Sequence, residues 1–323
     1  MAASRNSLQS SLLARVAAFL ATRATPGEKI CVGLSGGCDS VVLLHVLAVL
    51  CPRGNLRAVH VHHGLSANAD RWAAFCADYC RDLGIDLLVE RVEVDRHSGL
   101  GLEAAAREAR YGVFSGSAGE LLLLGHHQGD QAETLLFNLL RGAGVAGAAG
   151  IPVERRRQHL RILRPLLDVS RDEIETYARD HQLAWVDDES NRDTGLSRNF
   201  LRHRVLTVFG ARFPAAERNL ARAAGHFAEA DVLLGELALI DWRSAADGEA
   251  LKLAKLRELS LPRLKNLLRY RLRQLGWRAP AAVRLDEFAR QLQTAGADRH
   301  PALDLAEGSM IAGGGVLRWV ARR

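Results

Sequence analysis

The sequence contains no apolar run of membrane-spanning length, so nothing in it reads as a bilayer span. It contains no CxxC pair either. Its five cysteines, Cys31, Cys38, Cys51, Cys76 and Cys80, therefore supply no zinc-knuckle or iron–sulfur motif, and their odd number argues against a disulfide framework. Cys76 and Cys80 share a helix face and read as small buried hydrophobes. Lysine is scarce, and arginine supplies nearly all of the positive charge behind a net +6, a mild excess that favours a polyanionic partner. Lysine is also missing from the glycine-rich loop near residue 36, which rules out a Walker-type GxxxxGK[ST] loop there.

What is present suits a two-domain protein of 323 residues, with 48% hydrophobic residues, enough for a substantial core. The N-terminal residues could pass for a signal peptide, but Arg15 interrupts their apolar part. They read as an amphipathic helix capped by Asn6 or Ser7, and a cytoplasmic address is expected.

The stretch from Lys29 to Leu50, KICVGLSGGCDSVVLLHVLAVL, orders the rest. An apolar run of strand length breaks at Ser35-Gly36-Gly37 and resumes with Val41, Leu44, His45 and Ala48 on one helical face. Unpaired N–H groups at a helix start suit an anionic oxygen, and the glycines let it approach closely. Asp39 and Ser40 fall in the first helical turn. A carboxylate beside bound phosphates suits Mg²⁺ between them, so Asp39 is the expected Mg²⁺ ligand. The bland alternative is a glycine turn capped by Ser35 or Asp39. The string SGGCDS matches the SGGxDS loop and resembles the N-type ATP pyrophosphatase (PP-loop) superfamily, whose members split ATP between the α- and β-phosphates. That resemblance implies ATP contacts from Ser35, Gly36, Gly37, Cys38, Asp39 and Ser40.

Leu56–Leu65, Leu87–Val94 and Leu121–His127 read as further strands. They alternate with helices from about Ser66, which caps, to Leu83, over Leu102–Phe114 and over Asp130–Arg141. This alternation predicts an α/β fold, a doubly wound, Rossmann-like parallel sheet, with ligands at the C-terminal strand ends. Ser35–Ser40, His60–Gly64 and Gly125–Glu133 fall at those ends. The histidines His60, His62, His63, His126 and His127 suit polar contacts to nucleotide or substrate better than a metal site, because no carboxylate–histidine ligand spacing accompanies them. Glu103, Arg107 and Arg110 share a helix face, either a solvated one or one aimed at phosphate. Asp130 and Glu133 are placed on the first turn of their helix. Ser170 begins another helix in an S-x-x-E box with Glu173.

The motifs SGGCDS, VHHGLS, ARxxRY, HHxxDQxET, RPLLxxSRxEI and DxSNxDxxxxRNxxR occur in order between Ile30 and Val205. In that order they resemble the tRNA(Ile)-lysidine synthetase family. Gly129 stands where the family's HHxDDQxET loop has its first aspartate. The resemblance implies that ATP adenylates the C2 oxygen of the wobble cytidine in a CAU-anticodon tRNA(Ile), and that free lysine then displaces AMP. It implies ATP and Mg²⁺ as cofactors, leaves room for a homodimer, and involves no membrane. Under it, Asp39, Asp130, Glu133, Arg107 and Arg110 are expected to be catalytic and His127 to touch ATP. Asp130, Glu133, Asn191, Arg198, Asn199 and Arg202 are expected at the substrate. A tRNA thiolase is the nearest rival, but paired cysteines are missing. A non-catalytic nucleotide-binding module is the other.

A boundary is expected at 212/213, dividing a catalytic domain (1–212) from a smaller, mainly helical tRNA-binding domain (213–323). Ala216–Leu239 is long and amphipathic. Leu251–Arg278 carries nine basic residues and a single acid, Glu258, with Ser260 and Pro262 at a helix start and Leu261, Leu264, Leu268, Leu272 and Leu275 as its buried stripe. So few acids point to RNA backbone rather than a solvated face, with Arg269 and Arg273 as contacts. The further C-terminal domain of longer relatives is not expected beyond it.

Overall fold

The computed structural model describes residues 2–94, 102–117, 121–189, 193, 195, 197–296 and 298–322. Two compact units divide at 228/229. The division falls inside the long helix α10 (Ala216–Ala245) rather than at 212/213. The reason is packing: Leu220, Ala223, Ala224 and Phe227 from its first half close over Leu135 and Ala148.

The first unit is built on a six-stranded sheet, ordered β3-β2-β1-β4-β6-β5. The strands are β1 (Ile30–Gly33), β2 (Leu56–His62), β3 (Asp86–Arg91), β4 (Leu121–Leu123), β5 (Glu154–Arg157) and β6 (Leu160–Leu163). All neighbours are parallel except β5, which pairs antiparallel with β6. The chain runs outward from β1 to β3 and returns to β4 on the other side of β1, so the sheet reverses direction between β1 and β4. Such a switch point opens a crevice at the carboxyl ends of the strands.

Alternation along the strands divides the core into two layers. Ile30, Val32, Leu121, Leu123 and Leu163 face α2 (Cys38–Leu50), α3 (Ala69–Leu83), α7 (Arg171–Asp180) and α1 (Ala2–Arg23). Cys31, Val59, Leu122 and Ile162 face Tyr111 and Phe114 of α4 (Leu102–Ser117). Because α2 is enclosed by sheet and helices, its residues from Val41 to Leu44 are fully buried. The expected Ser170–Glu173 box forms: Glu173 N–H donates to Ser170 Oγ at 3.3 Å and Ser170 N–H to Glu173 Oε2 at 2.8 Å. Arg15 ties α1 to the same corner through Glu173 Oε1 at 2.8 Å.

Several boundaries differ from expectation. Helix α1 begins at Ala2, so Asn6 and Ser7 lie within it and do not cap it. Helix α3 begins at Ala69, and Ser66 instead accepts the Asn68 N–H at 3.0 Å and donates to Glu189. Strand β4 stops at Leu123, since β6 offers it no partner beyond Leu163. Helix α5 (Gln128–Leu140) starts two residues early, which moves Glu133 into its second turn. After α5 come α6 (Val145–Ala148), α8 (Ser197–Phe200), a π-helical turn (Leu201–Leu206) and α9 (Thr207–Arg212).

The second unit holds α11 (Leu253–Glu258), α12 (Leu261–Gln274), α13 (Ala282–Thr294) and the end of α10. It is mainly helical, and it also carries an antiparallel sheet that was not foreseen, β7-β8-β11-β10-β9. These strands are β7 (Ala246–Asp247), β8 (Ala250–Lys252), β9 (Ala302–Asp304), β10 (Gly308–Gly313) and β11 (Val316–Ala321). Leu264, Leu267, Leu268 and Leu272 of α12 pack with Phe288, Met310 and Leu317.

Candidate active site

The loop after β1 is braced from within. Ser40 Oγ donates to Gly37 O at 2.9 Å, accepts the Ser35 N–H at 3.2 Å and lies 3.1 Å from Ser35 Oγ. Gly36 has φ +89°, and its carbonyl accepts the Val186 N–H at 2.9 Å. Gly37 caps α2 without any side-chain bond, so the first N–H groups of α2 stay available to an anion. The Cys38 thiol belongs to the core, and burial pushes it up to about 12. Any ligand contact from Cys38 is therefore through its backbone, and Ser40 Oγ is committed to the loop.

A cavity of about 260 Å³ opens above this loop, at the switch point. Ser35, Asp39, Ser40, His60, His63, Arg110, His126, Asp130 and Asp188 line it. Gly125, just past β4, lets that strand end approach the first turn of α2: a Cβ there would lie 3.0 Å from the Asp39 backbone. Burial raises the Asp39 carboxyl, with His127 and Arg171 pulling it back. Asp39 Oδ1 is buried and has no hydrogen-bond partner among the described residues. A carboxylate oxygen left without a donor beside an anion-binding loop fits a cation such as Mg²⁺, completed by phosphate oxygens and water. Among the described residues no cluster of three or more His, Cys, Asp or Glu could hold a metal by itself.

Helix α5 brings the second group of acids. His127 caps it: His127 Nδ1 accepts the Gly129 N–H at 3.0 Å and the His127 N–H donates to Asp130 Oδ2 at 2.9 Å. With Nδ1 accepting, the ring proton sits on Nε2, which lies 3.8 Å from both Asp39 Oδ2 and Asp130 Oδ2. His127 is thus a buried bridge between the loop acid and the helix acid. Burial would raise the Asp130 carboxyl, but His127, His126, the capping N–H and Arg202 outweigh it and hold it below its ordinary value. Glu133 is 3% exposed and does not line the cavity. The Arg202 guanidinium forks onto both its oxygens, Nε to Oε1 and NH2 to Oε2 at 3.1 Å, and reaches Asp130 Oδ1 at 3.4 Å. The π-helical turn carries Arg202, the kind of irregularity that often marks functional sites. Burial raises Glu133 even so, and raises it more than Arg202 lowers it.

The remaining expected residues divide. Arg110 lines the cavity, whereas Arg107 lies along the Tyr111 ring, its guanidinium carbon 5.2 Å from the centroid. Asn199 is buried and donates to Asp193 O at 3.0 Å, which makes it a brace of its loop. Arg198 is half-buried beside it on α8. Asn191 lies outside the described residues. His60 donates from Nδ1 to Leu34 O at 2.8 Å and His62 Nε2 meets Asp70 at 3.1 Å, so these two strand histidines hold structure. Reasoning from sequence missed Arg171, whose charge acts on Asp39, although it sits inside a quoted motif.

The basic segment Leu251–Arg278 does not stand without acids, as its sequence suggested. Lys255 pairs with Glu258, Arg263 with Asp241, Lys265 with Asp286, Arg271 with Glu249 and Arg273 with Asp231 at 2.7 Å. Apart from Glu258, these acids lie outside the segment. Arg271 also stacks between Trp242 and Trp319, at 4.6 and 5.8 Å. Among the described residues Arg269 makes no such pair, and its charge contributes to lowering the Asp286 carboxyl.

A braced SGGCDS turn, an open helix start and a switch-point cavity define a PP-loop domain, and the PP-loop domain model matches residues 8–209. A second model, the TilS substrate binding domain, matches residues 251–323. The chain belongs to the tRNA(Ile)-lysidine synthase family. It is 50% identical over 277 residues to the tRNA(Ile)-lysidine synthase of Aromatoleum aromaticum, covering 85% of this chain and 65% of that one. It is 46% identical over 308 residues to that of Pseudomonas aeruginosa, covering 90% and 68%. The chain thus spans about two thirds of the length of these relatives. The U34-tRNA thiolase NcsA from Methanococcus maripaludis superposes with a TM-score of 0.56 at 16% identity, over 70% of this chain and 80% of that one, a likeness of fold alone.

Proposed function

We propose that this chain is an ATP-dependent ligase that joins free lysine to C2 of the wobble cytidine of a CAU-anticodon tRNA(Ile). The observation that carries this is the shared cavity. One space is lined by the phosphate-type loop and by Asp130 of α5, so a nucleotide and a cationic amine can meet there. In the first step the cytidine C2 oxygen attacks the α-phosphate of ATP and pyrophosphate leaves. In the second the lysine ε-amine attacks C2, the C2–O bond breaks, AMP leaves with that oxygen, and the amine gives up its proton.

The chain's own groups suit each task. The N–H groups at the start of α2, with Arg110, receive polyphosphate charge. Asp39 would hold Mg²⁺, which when bound neutralises phosphate charge. Asp130, kept ionised by its neighbours, attracts an ammonium group. Arg202 holds the place of a cation against Asp130 and Glu133, the arrangement expected of acids selected to receive lysine. The four core thiols Cys31, Cys38, Cys76 and Cys80 are pushed up to about 11, 12, 12 and 12 by burial, an environment that disfavours the thiolate sulfur transfer would use. Among the described residues no helix is long and apolar enough to cross a membrane.

The test is product analysis with tRNA(Ile) and ATP, without and then with lysine. The proposal expects tRNA-dependent AMP and pyrophosphate, with AMP release accelerated by lysine. ADP and phosphate as the tRNA-dependent products overturn it.

A further inference from the structure

Just past the π-helical turn, the first unit shows an aromatic pocket that the proposed chemistry leaves unused. Phe209, Phe213, Ala216, Asn219 and Leu220 line about 340 Å³ between α9 and the start of α10. Phe209 lies on α9 and Phe213 just past its end, and they are 38% and 60% exposed. The two phenyl rings lie side by side open to water, an apolar surface available for contact. Its surroundings specify the partner. Between Arg198 and Arg222 the sequence places six arginines and one acid, Glu217. The Arg212 guanidinium lies 5.3 Å from the Phe213 ring centroid, and Arg222 hydrogen-bonds Asn219 Oδ1 at 3.1 Å. Of these six, Arg202 is committed to Glu133 and Asp130, while Arg212 and Arg222 stand at the pocket itself.

We infer that Phe209 and Phe213 form a stacking platform for an unpaired base of the RNA substrate, a reading that rests on the proposed tRNA activity. Aromatic faces set among arginines accept an unstacked base of any identity while the guanidinium groups take the phosphates. A polypeptide partner would not need this concentration of positive charge. Phe209 follows Arg202 by seven residues, across the π-helical turn and the start of α9. A strand with one nucleotide at the acids of α5 can therefore lay a neighbour on the platform. Asn219 also lines the pocket, and its side-chain amide is a donor for a base edge.

The test uses the full chain and an anticodon stem-loop RNA carrying 2-aminopurine at successive loop positions. Binding to the unaltered protein should change the fluorescence at one loop position by stacking. Phe213→Ala should weaken RNA binding about 10-fold and abolish that change, within the range measured for losing one base–aromatic stack. Phe213→Trp should restore both, and Phe213→Leu should restore neither, since an aliphatic side chain fills space but cannot stack. The KM for ATP should not move. The inference is overturned if Phe209→Ala and Phe213→Ala bind the stem-loop as the unaltered protein does, or if Phe213→Leu is fully competent. It is also overturned if the unaltered protein sediments as a dimer and Phe213→Ala as a monomer, because a second copy then covers the pocket. Lysine incorporation separates the two readings. Normal incorporation by Phe213→Ala with unchanged RNA affinity sinks the platform alone. No incorporation by the unaltered protein, with platform-dependent RNA binding intact, sinks the lysine reaction alone.

Discussion

Replacing Arg202 with alanine tests the buried cluster at its centre. Glu133 is 3% and Arg202 29% exposed, so their forked pair is largely out of water. Removing one partner of such a pair leaves an uncompensated buried charge, worth about 3–5 kcal/mol. The lower end applies here, because Arg202 keeps some contact with solvent. At about 1.4 kcal/mol per tenfold change, 3 kcal/mol makes amide exchange in α5 roughly 100-fold faster. The pH dependence follows from the raised Glu133 carboxyl. An acid whose folded pKa is raised takes up a proton on folding, so its penalty is complete above the folded pKa. The penalty shrinks as pH falls from there toward the unfolded value. Without Arg202 the folded pKa rises further, so the deficit should be larger near pH 8 than near pH 5.5, about a unit above the unfolded value. Hydrogen exchange read by mass spectrometry on α5 peptides, corrected for intrinsic rates, measures it. Glu133→Gln combined with Arg202→Ala should be less destabilised than Arg202→Ala alone. An equal deficit at both pH values, or a double variant as unstable as the sum of the single ones, refutes the reasoning.

Three further outcomes are expected. Gly129→Ala would place a Cβ 2.8 Å from His127 Cε1, so the ring must turn and its 3.0 Å bond to Gly129 N–H breaks. ATP turnover should drop at least ~10-fold with about 1–2 kcal/mol lost in stability, and unchanged turnover would count against the His127 bridge. Asp39→Asn keeps the shape of the side chain but removes its charge, so tRNA-dependent pyrophosphate release should fall by ~100-fold or more. Near-normal release at saturating Mg²⁺ would contradict the assignment. Arg269→Ala should flatten the salt dependence of tRNA binding by about one unit of log–log slope, whereas Arg273→Ala, whose charge Asp231 already balances at 2.7 Å, should change it less. The reverse order, read from binding isotherms at several salt concentrations, would show that the Asp231 pair opens on RNA.

The loop after β1 could be read from sequence because its information is local: an apolar run, two glycines and an acid within ten residues. The doubly wound sheet followed from strand–helix alternation. What escaped was long-range or unpatterned. Glu133 and Arg202 are 69 residues apart, and no spacing rule pairs them. Asp231, Asp241, Glu249 and Asp286 neutralise the basic segment from other elements, so counting acids within that segment misjudged its charge. The β5–β6 hairpin escaped because Glu154–Arg157 is an edge strand made wholly of charged residues, with no apolar alternation to show it. The sheet of the second unit was missed because β7, β8 and β9 are only two or three residues long.

The wobble nucleoside itself offers the most direct test of the central claim. The chain should be incubated with tRNA(Ile) bearing a CAU anticodon, ATP, Mg²⁺ and isotopically labelled lysine. The tRNA is then digested to nucleosides and weighed by mass spectrometry. The account predicts that the wobble cytidine gains the mass of lysine less one water, carries the lysine label, and does so only when ATP is present. An unchanged cytidine, or one that gains sulfur instead, would contradict it.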